Sequence, residues 1–280
     1  MYKLLNAGFY GLRNNKIFWG ILVITLGIAG VFLYNNLDAS TNAIDNLLLD
    51  HIGIIGIFIS IFTTLFVGLE YANGTIRNKI VVGHSRIKIY LSNLIISITV
   101  GIIIELVYML SVAIIGIPVL GGLQIPLSQF ILILLNIVMI IITYSSIFCC
   151  ITLLCQDITI STVIGIILVI AMFVIEGTLS LTASAEKYRY QITRDEQGIV
   201  TKEIIGINPN YPGETKKKIA QTILYIMPTG QANFIASGVS NQIMFNEEPI
   251  NTFTLLLYSL GTTIVINIIG IYCFNKKELK

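Results

Sequence analysis

Charge is what this chain has least of: Asp, Glu, Lys and Arg make up 11% of its 280 residues, against about 25% in soluble domains. With 55% hydrophobic residues and a mean hydropathy of +0.85, that scarcity excludes a soluble globular protein and leaves an integral membrane protein. Cysteine is also sparse. The four, Cys149, Cys150, Cys155 and Cys273, lie in or beside apolar runs without a C-x-x-C pair. A disulfide scaffold or a zinc site is therefore not expected, and buried free thiols are. The two histidines, His51 and His84, fall at opposite ends of one apolar run, and there is no H-E-x-x-H, so no catalytic arrangement can be argued from them. No G-x-x-x-x-G-K-[ST] is present to cradle phosphate, so an ATP-driven process would need its ATPase on another chain. A cleavage site of small residues before the first apolar run is missing, which argues against a removed signal peptide. No internal repeat stands out.

What is present is a series of apolar runs. About 20 residues at a rise of about 1.5 Å cross the hydrocarbon core. Runs of that order predict spans near 17–34, 51–68, 89–117, 127–154, 158–175 and 252–274. Phe18 and Trp19 are placed as interface anchors of the first span. Residues 1–16 mix Leu4, Leu5, Phe9 and Leu12 with Lys3, Arg13 and Lys16, a pattern for an interfacial amphipathic helix. Two short loops, 35–50 and 121–126, carry no Lys or Arg, whereas Lys3, Arg13, Lys16, Arg77, Lys79, Arg86, Lys88, Lys276, Lys277 and Lys280 cluster at the alternate ends. That asymmetry puts both termini in the cytoplasm and the two short loops outside. Gln156-Asp157 should make a tight cytoplasmic turn.

Between the fifth and sixth runs the composition changes. Residues 177–250 hold seven bases and seven acids, which reads as a water-facing outer insertion. Within it, 188–193 and 199–206 can pair as a hairpin, and 219–226 as a helix. The expected division is 1–176 for the interfacial helix and spans 1–5, 177–250 for the insertion, and 251–280 for span 6 and the tail. The fold class is all-α: a polytopic membrane protein with six transmembrane helices.

The most informative stretch lies between spans 2 and 3: Glu70-Tyr71-Ala72-Asn73-Gly74-Thr75-Ile76-Arg77-Asn78-Lys79-Ile80-Val81, followed by Gly83-His84-Ser85-Arg86. Asn73-Gly74 can break the incoming helix, and Thr75 is placed to cap a short helix over 76–82. The order E-Y-x-N-G-T-I-R-N-K resembles the loop after the second span of ABC-2-type transporter permeases, the membrane subunits of ATP-driven exporters, especially in Gram-positive bacteria. Pro228-Thr229-Gly230-Gln231 resembles a further short motif before their last span. The resemblance implies a cytoplasmic coupling helix over 70–88 that docks on separate ATPase subunits. It implies a second, identical permease chain and no cofactor here, ATP and Mg²⁺ belonging to the partner. On this reading Ile76, Ile80 and Val81 fill a groove of the ATPase, Arg77 and Lys79 steer docking, Glu70 ties the helix to the spans, and Tyr71, Asn73, Gly74 and Thr75 belong to the same coupling stretch.

Glu105 is the one ionisable residue deep in a span. Its insertion costs about 2.5–3.5 kcal/mol, which some six Leu or Ile offset at about 0.3–0.6 each. It should face protein or water, as a substrate-pathway or gating carboxylate or as a neutral partner for another helix. Glu176 reads as an interface residue. Ser97-x-x-x-Gly101 and Ser161-x-x-x-Gly165 let helices approach closely, inside one subunit or at a dimer seam. Few charges in the spans suit an apolar or amphipathic cargo. Small permeases of the resembled type export antimicrobial or toxic peptides or confer resistance to them. A lipid-linked glycan or drug exporter, an ion-driven secondary transporter, and a non-transporting receptor with a ligand-binding insertion are the alternatives; nucleic acid is not an expected partner.

Overall fold

The computed structural model describes residues 1–36, 44–194, 200–245 and 251–278. Six of its helices are long and apolar enough to cross a membrane: α2 (Lys16–Asn36), the run Ile44–Ala72, α6 (Arg86–Leu120), α7 (Leu127–Cys155), α8 (Ile158–Ala183) and α11 (Thr252–Lys276). The molecule is an all-α polytopic membrane protein. Helices dominate because hydrocarbon offers backbone N–H and C=O groups no water, so each span must satisfy its own. Local chemistry sets several ends. Asn15 Oδ1 accepts from the amides of Ile17 and Phe18 to start α2, Asp157 Oδ1 accepts from Ile160 to start α8, and Asn251 Oδ1 accepts from Thr254 to start α11. Between α7 and α8 the turn is as tight as Gln156-Asp157 predicts, with Gln156 in the left-handed region at φ 60°.

The run Ile44–Ala72 sits at the centre of the bundle. Its main helix, α4 (Ile55–Ala72), packs against α6, α7 and α8, while α11 lies along α7 and α2 along α6. Gly101 and Gly165 explain two of these approaches. A Cβ on Gly101 would lie 2.5 Å from Ile141 Cγ2, and one on Gly165 would lie 2.8 Å from Ser60 Oγ. Both small-residue pairs are therefore spent inside the subunit and do not form a dimer seam. The amphipathic helix α1 (Tyr2–Arg13) buries Leu4, Gly8 and Leu12 against α6, with Gly8 over Ile96. Trp19 is exposed, as an interface anchor should be, but Phe18 is not: it packs edge-on against Phe62 in the core.

Three boundaries differ from the sequence reading. The stretch 35–50 is not all loop: α3 (Ile44–Leu49) and a 3₁₀ turn (Asp50–Gly53) extend span 2, and Ile44, Leu47, Leu48 and Leu49 are buried. Asp45 is buried with them because its carboxylate accepts from the amides of Gln124 (2.9 Å) and Ile125 (3.4 Å). Helix α8 runs on past the expected limit at 176 to Ala183. Glu176 does not end it, since its carboxylate accepts from Ser180 one turn later and from Asn233 of another helix. Finally, the insertion is not uniformly water-facing. Its hairpin, β1 (Tyr188–Arg194) with β2 (Val200–Ile207), is antiparallel over the expected segments, with a register shift between Arg189 and Tyr190 and the tip lying outside the described residues. Beyond α9 (Glu214–Ile226), however, α10 (Pro228–Phe245) returns to the bundle. It buries Ala232, Ile235 and Val239 in the same cluster as Leu49, Ile52 and Ile137. The corner between α9 and α10 depends on Gly230, where a Cβ would lie 2.4 Å from the Leu224 carbonyl oxygen.

Candidate functional site

The loop between spans 2 and 3 folds into a short helix, α5 (Thr75–Val81), bracketed by two left-handed glycines, Gly74 at φ 66° and Gly83 at φ 95°. Gly74 closes α4, its amide donating to the Tyr71 carbonyl at 2.9 Å, and also caps the start of α5. That displaces Thr75 from the capping position to the first residue of the helix, because the reversal from α4 needs a positive φ that glycine adopts without strain. At the far end the Gly83 amide reaches the Ile80 carbonyl (2.9 Å) and the His84 amide the Lys79 carbonyl (3.0 Å), the double closure of a Schellman motif.

Side chains then fix α5 to the spans. Lys79 donates to Glu70 Oε1 across the turn, and Asn93 of α6 donates to Glu70 Oε2 at 3.1 Å. Glu70 thus bridges the end of α4, α5 and α6 through one carboxylate. Lys79 is mostly buried in this pair and is not a surface charge free to steer a partner. Tyr71 points inward as well, its hydroxyl donating to the Leu153 carbonyl at the end of α7 (2.8 Å). Ile76 is 1% exposed and Ile80 half-buried, both in the apolar cluster with Phe66, Ile89 and Leu94. They seat α5 on its own chain, so neither is offered as a groove-filling knob. The outward face carries Arg77, Asn78, Val81 and Val82, the two valines 78% and 77% exposed. Asn73 is exposed beside them at the end of α4.

Arg86 completes this end of the molecule. Its guanidinium donates to the carbonyls of Phe274 (2.9 Å), Asn275 (3.0 Å) and Lys277, capping the C-terminus of α11. Lys277 in turn donates to the Leu154 carbonyl at the end of α7, and Gln156 to the Glu278 carbonyl at 2.9 Å. Cations at helix C-termini meet both orphan carbonyls and the negative end of the macrodipole. Two of the bases that read as topology signals are thus also structural caps.

Glu105 lies away from this cluster, near the middle of α6 and 4% exposed. Its partner is His51 of the 3₁₀ turn, with Nδ1 2.8 Å from Oε2. From the sequence, His51 pairs with nothing, since the other histidine lies at the far end of the same apolar run, and Glu105 is 54 residues away. No signal short of the tertiary fold joins them. Among the described residues no group of His, Cys, Asp and Glu could hold a metal ion.

The profile of a family described as "ABC-2 family transporter protein" matches residues 8–279. No curated protein matches the chain.

Proposed function

This chain belongs to the ABC-2 family of transporter proteins, a multi-pass membrane component that works with an ABC ATPase, and on that premise we propose that it exports an amphipathic or hydrophobic substrate, of which a toxic or antimicrobial peptide is the favoured class. The carrying observation is the coupling-loop helix α5: it is rigidly held by Glu70, Lys79 and Asn93 yet presents Arg77, Val81 and Val82 outward. Exposed valines at the polar end of a bundle are an apolar patch without an internal partner, as a docking surface requires. The carboxylate bridge transmits a push on α5 directly to α4 and α6. ATP and Mg²⁺ reside on the partner, whose binding and hydrolysis drive alternation of the spans. Both termini and α5 face the cytoplasm, α9 and α10 the outside, and a second, identical chain completes the pathway.

Few charged side chains in the spans favour a cargo taken from the membrane over a hydrophilic solute. The test is to coexpress the chain with its ATPase, purify both in lipid, and measure hydrolysis with candidate amphipathic peptides. Stimulation by peptide supports the reading. Stimulation only by lipid-linked glycan or a small drug replaces the substrate class, and failure of any ATPase to copurify removes the coupling role.

A further inference from the structure

Span 2 is one apolar run from Ile44 to Ala72, yet its helix is interrupted at Asp50–Gly53 by a 3₁₀ turn. Such interruptions often mark hinges, because the tighter i→i+3 winding has poorer hydrogen-bond geometry than the α-helix around it. His51 lies in this turn, fully buried. Its ring stacks on Tyr108 at 4.4 Å and 18° and lies 5.7 Å from Phe58 at 14°. Nδ1 is bound to Glu105 Oε2, while Nε2 of His51 and Oε1 of Glu105 are buried without a hydrogen-bond partner among the described residues. The Tyr108 hydroxyl donates to the Leu47 carbonyl of α3 (2.8 Å), so α6 also holds the segment that leads into the turn.

The surrounding charges decide what this pair must hold. On α3 there is Asp45, committed to the amides of Gln124 and Ile125, and on the turn itself Asp50, at the surface. Helix α4 carries no charged group before Glu70, α7 and α10 carry none, and Glu176 of α8 is bonded to Ser180 and Asn233. Tyr108 and Tyr144 are the other titratable groups nearby. Helix α2, whose Phe32 meets Tyr108 edge-on, carries the exposed Tyr34 and, at its opposite end, Lys16; none of the other groups is a cation. On α6 the nearest is Lys88, seventeen residues from Glu105 (105 minus 88), about 26 Å along a helix rising about 1.5 Å per residue. A neutral His51 bonded to an ionised Glu105 would therefore leave a bare negative charge inside the bundle, which low dielectric penalises heavily. One further proton makes the pair neutral, whether it rests on the imidazole or the carboxyl.

We propose that His51 and Glu105 form a proton-binding site within the membrane-spanning bundle, which holds one proton while the Asp50–Gly53 turn is seated on α6 and releases it when the turn swings away and admits water. The proposal is independent of the cargo. Its sign follows from proton counting. The seated state binds one more proton than the open state, so falling pH favours the seated state and rising pH the open one. One proton per opening event changes the ratio of the two by up to tenfold per pH unit.

The experiment uses the purified full chain in lipid nanodiscs. Infrared difference spectra would follow both the imidazolium ring modes and the carboxylic-acid C=O band between about pH 5 and pH 8, the range over which histidine changes charge. Hydrogen exchange of the amides in 47–56, corrected for intrinsic rate, would follow opening. The parent should lose protection by up to tenfold per pH unit as the band of the protonated pair falls. Glu105→Gln should lose that response and show flat protection. The apolar pair His51→Phe/Glu105→Leu keeps the packing if the amide variant fails to fold, and should be equally flat. A parent with no slope, or variants that retain its slope, would overturn the proposal.

Discussion

Arg86 Nη1 lies 2.9 Å from the carbonyl oxygen of Phe274 and 3.0 Å from that of Asn275, so the residue that opens α6 holds the chain as it leaves α11. All three carbonyls converge on the one nitrogen Nη1, and a lysine, whose ammonium ends one bond nearer the backbone, falls short of them. A hydrogen bond from a charged donor contributes about 1.5–3 kcal/mol, less here because the side chain is half-exposed. Arg86→Ala should lower the thermal unfolding midpoint in detergent and speed protease clipping near Glu278, with Arg86→Lys recovering only part. Unchanged midpoint and clipping in both would mean that the clamp is incidental.

The outward and inward faces of α5 should separate in mutation. Val81→Asp and Val82→Asp put charge on an exposed face, so the protein should still reach the membrane and unfold normally, yet fail to retain its ATPase. Each large apolar side chain lost from an interface costs about 1.5–3 kcal/mol, one to two orders of magnitude in affinity. Ile76→Asp should instead reduce folded protein, because the residue is buried under α6. Copurification yield alongside a melting curve distinguishes the two effects.

Glu70 should behave as a coupling residue rather than a docking residue. Glu70→Ala removes the acceptor for both Lys79 and Asn93 while leaving Val81 and Val82 in place. The expected result is an ATPase that still copurifies but whose hydrolysis no longer responds to substrate. Loss of copurification equal to that of Val81→Asp would assign Glu70 to the interface instead.

Single cysteines at Arg77 and Lys216, in a background without the four native ones, test orientation. Lys216→Cys should react with an impermeant maleimide on intact cells, and Arg77→Cys only after lysis. The reverse pattern would invert the molecule and place α5 on the wrong side for any ATPase.

Gly230→Ala probes the corner between α9 and α10. The added methyl meets backbone, not a mobile side-chain end, so relief requires moving α9. Overpacking of this kind costs about 1–3 kcal/mol. The melting midpoint should fall, with Gly230→Ser no better.

Much of this architecture is legible in the chain because its determinants are local. Apolar length gives the six spans, Gln156-Asp157 gives the turn before α8, and Gly74 and Gly83 bracket α5 where sequence reasoning placed a short helix. What could not be read depends on what other segments present. Ile76 and Val81 are both apolar residues of one short helix, and only the position of α6 decides that the first is an anchor and the second a surface. Residues 44–50 look like the end of a polar loop until Gln124 and Ile125 supply amides for Asp45. The histidine at residue 51 gives no hint of Glu105.

The seam between α11 and the earlier spans has a consequence for how the molecule is made. Thr263 meets Thr143, and Asn267 meets Ser146 and Tyr90, across sequence separations of 120, 121 and 177 residues. A ribosome that has delivered α7 must still translate the whole insertion before those partners exist. The hydroxyls of Thr143 and Ser146 can wait, since each also donates to the carbonyl one turn back, at Met139 and Ile142. Among the described residues the Tyr90 hydroxyl has no such local acceptor and bonds only to Asn267. In hydrocarbon an unmet polar group costs several kcal/mol. The nascent five-span chain therefore carries an unmet tyrosine hydroxyl on α6 until the sixth helix arrives, so the last span to be made completes the polar contacts of the third.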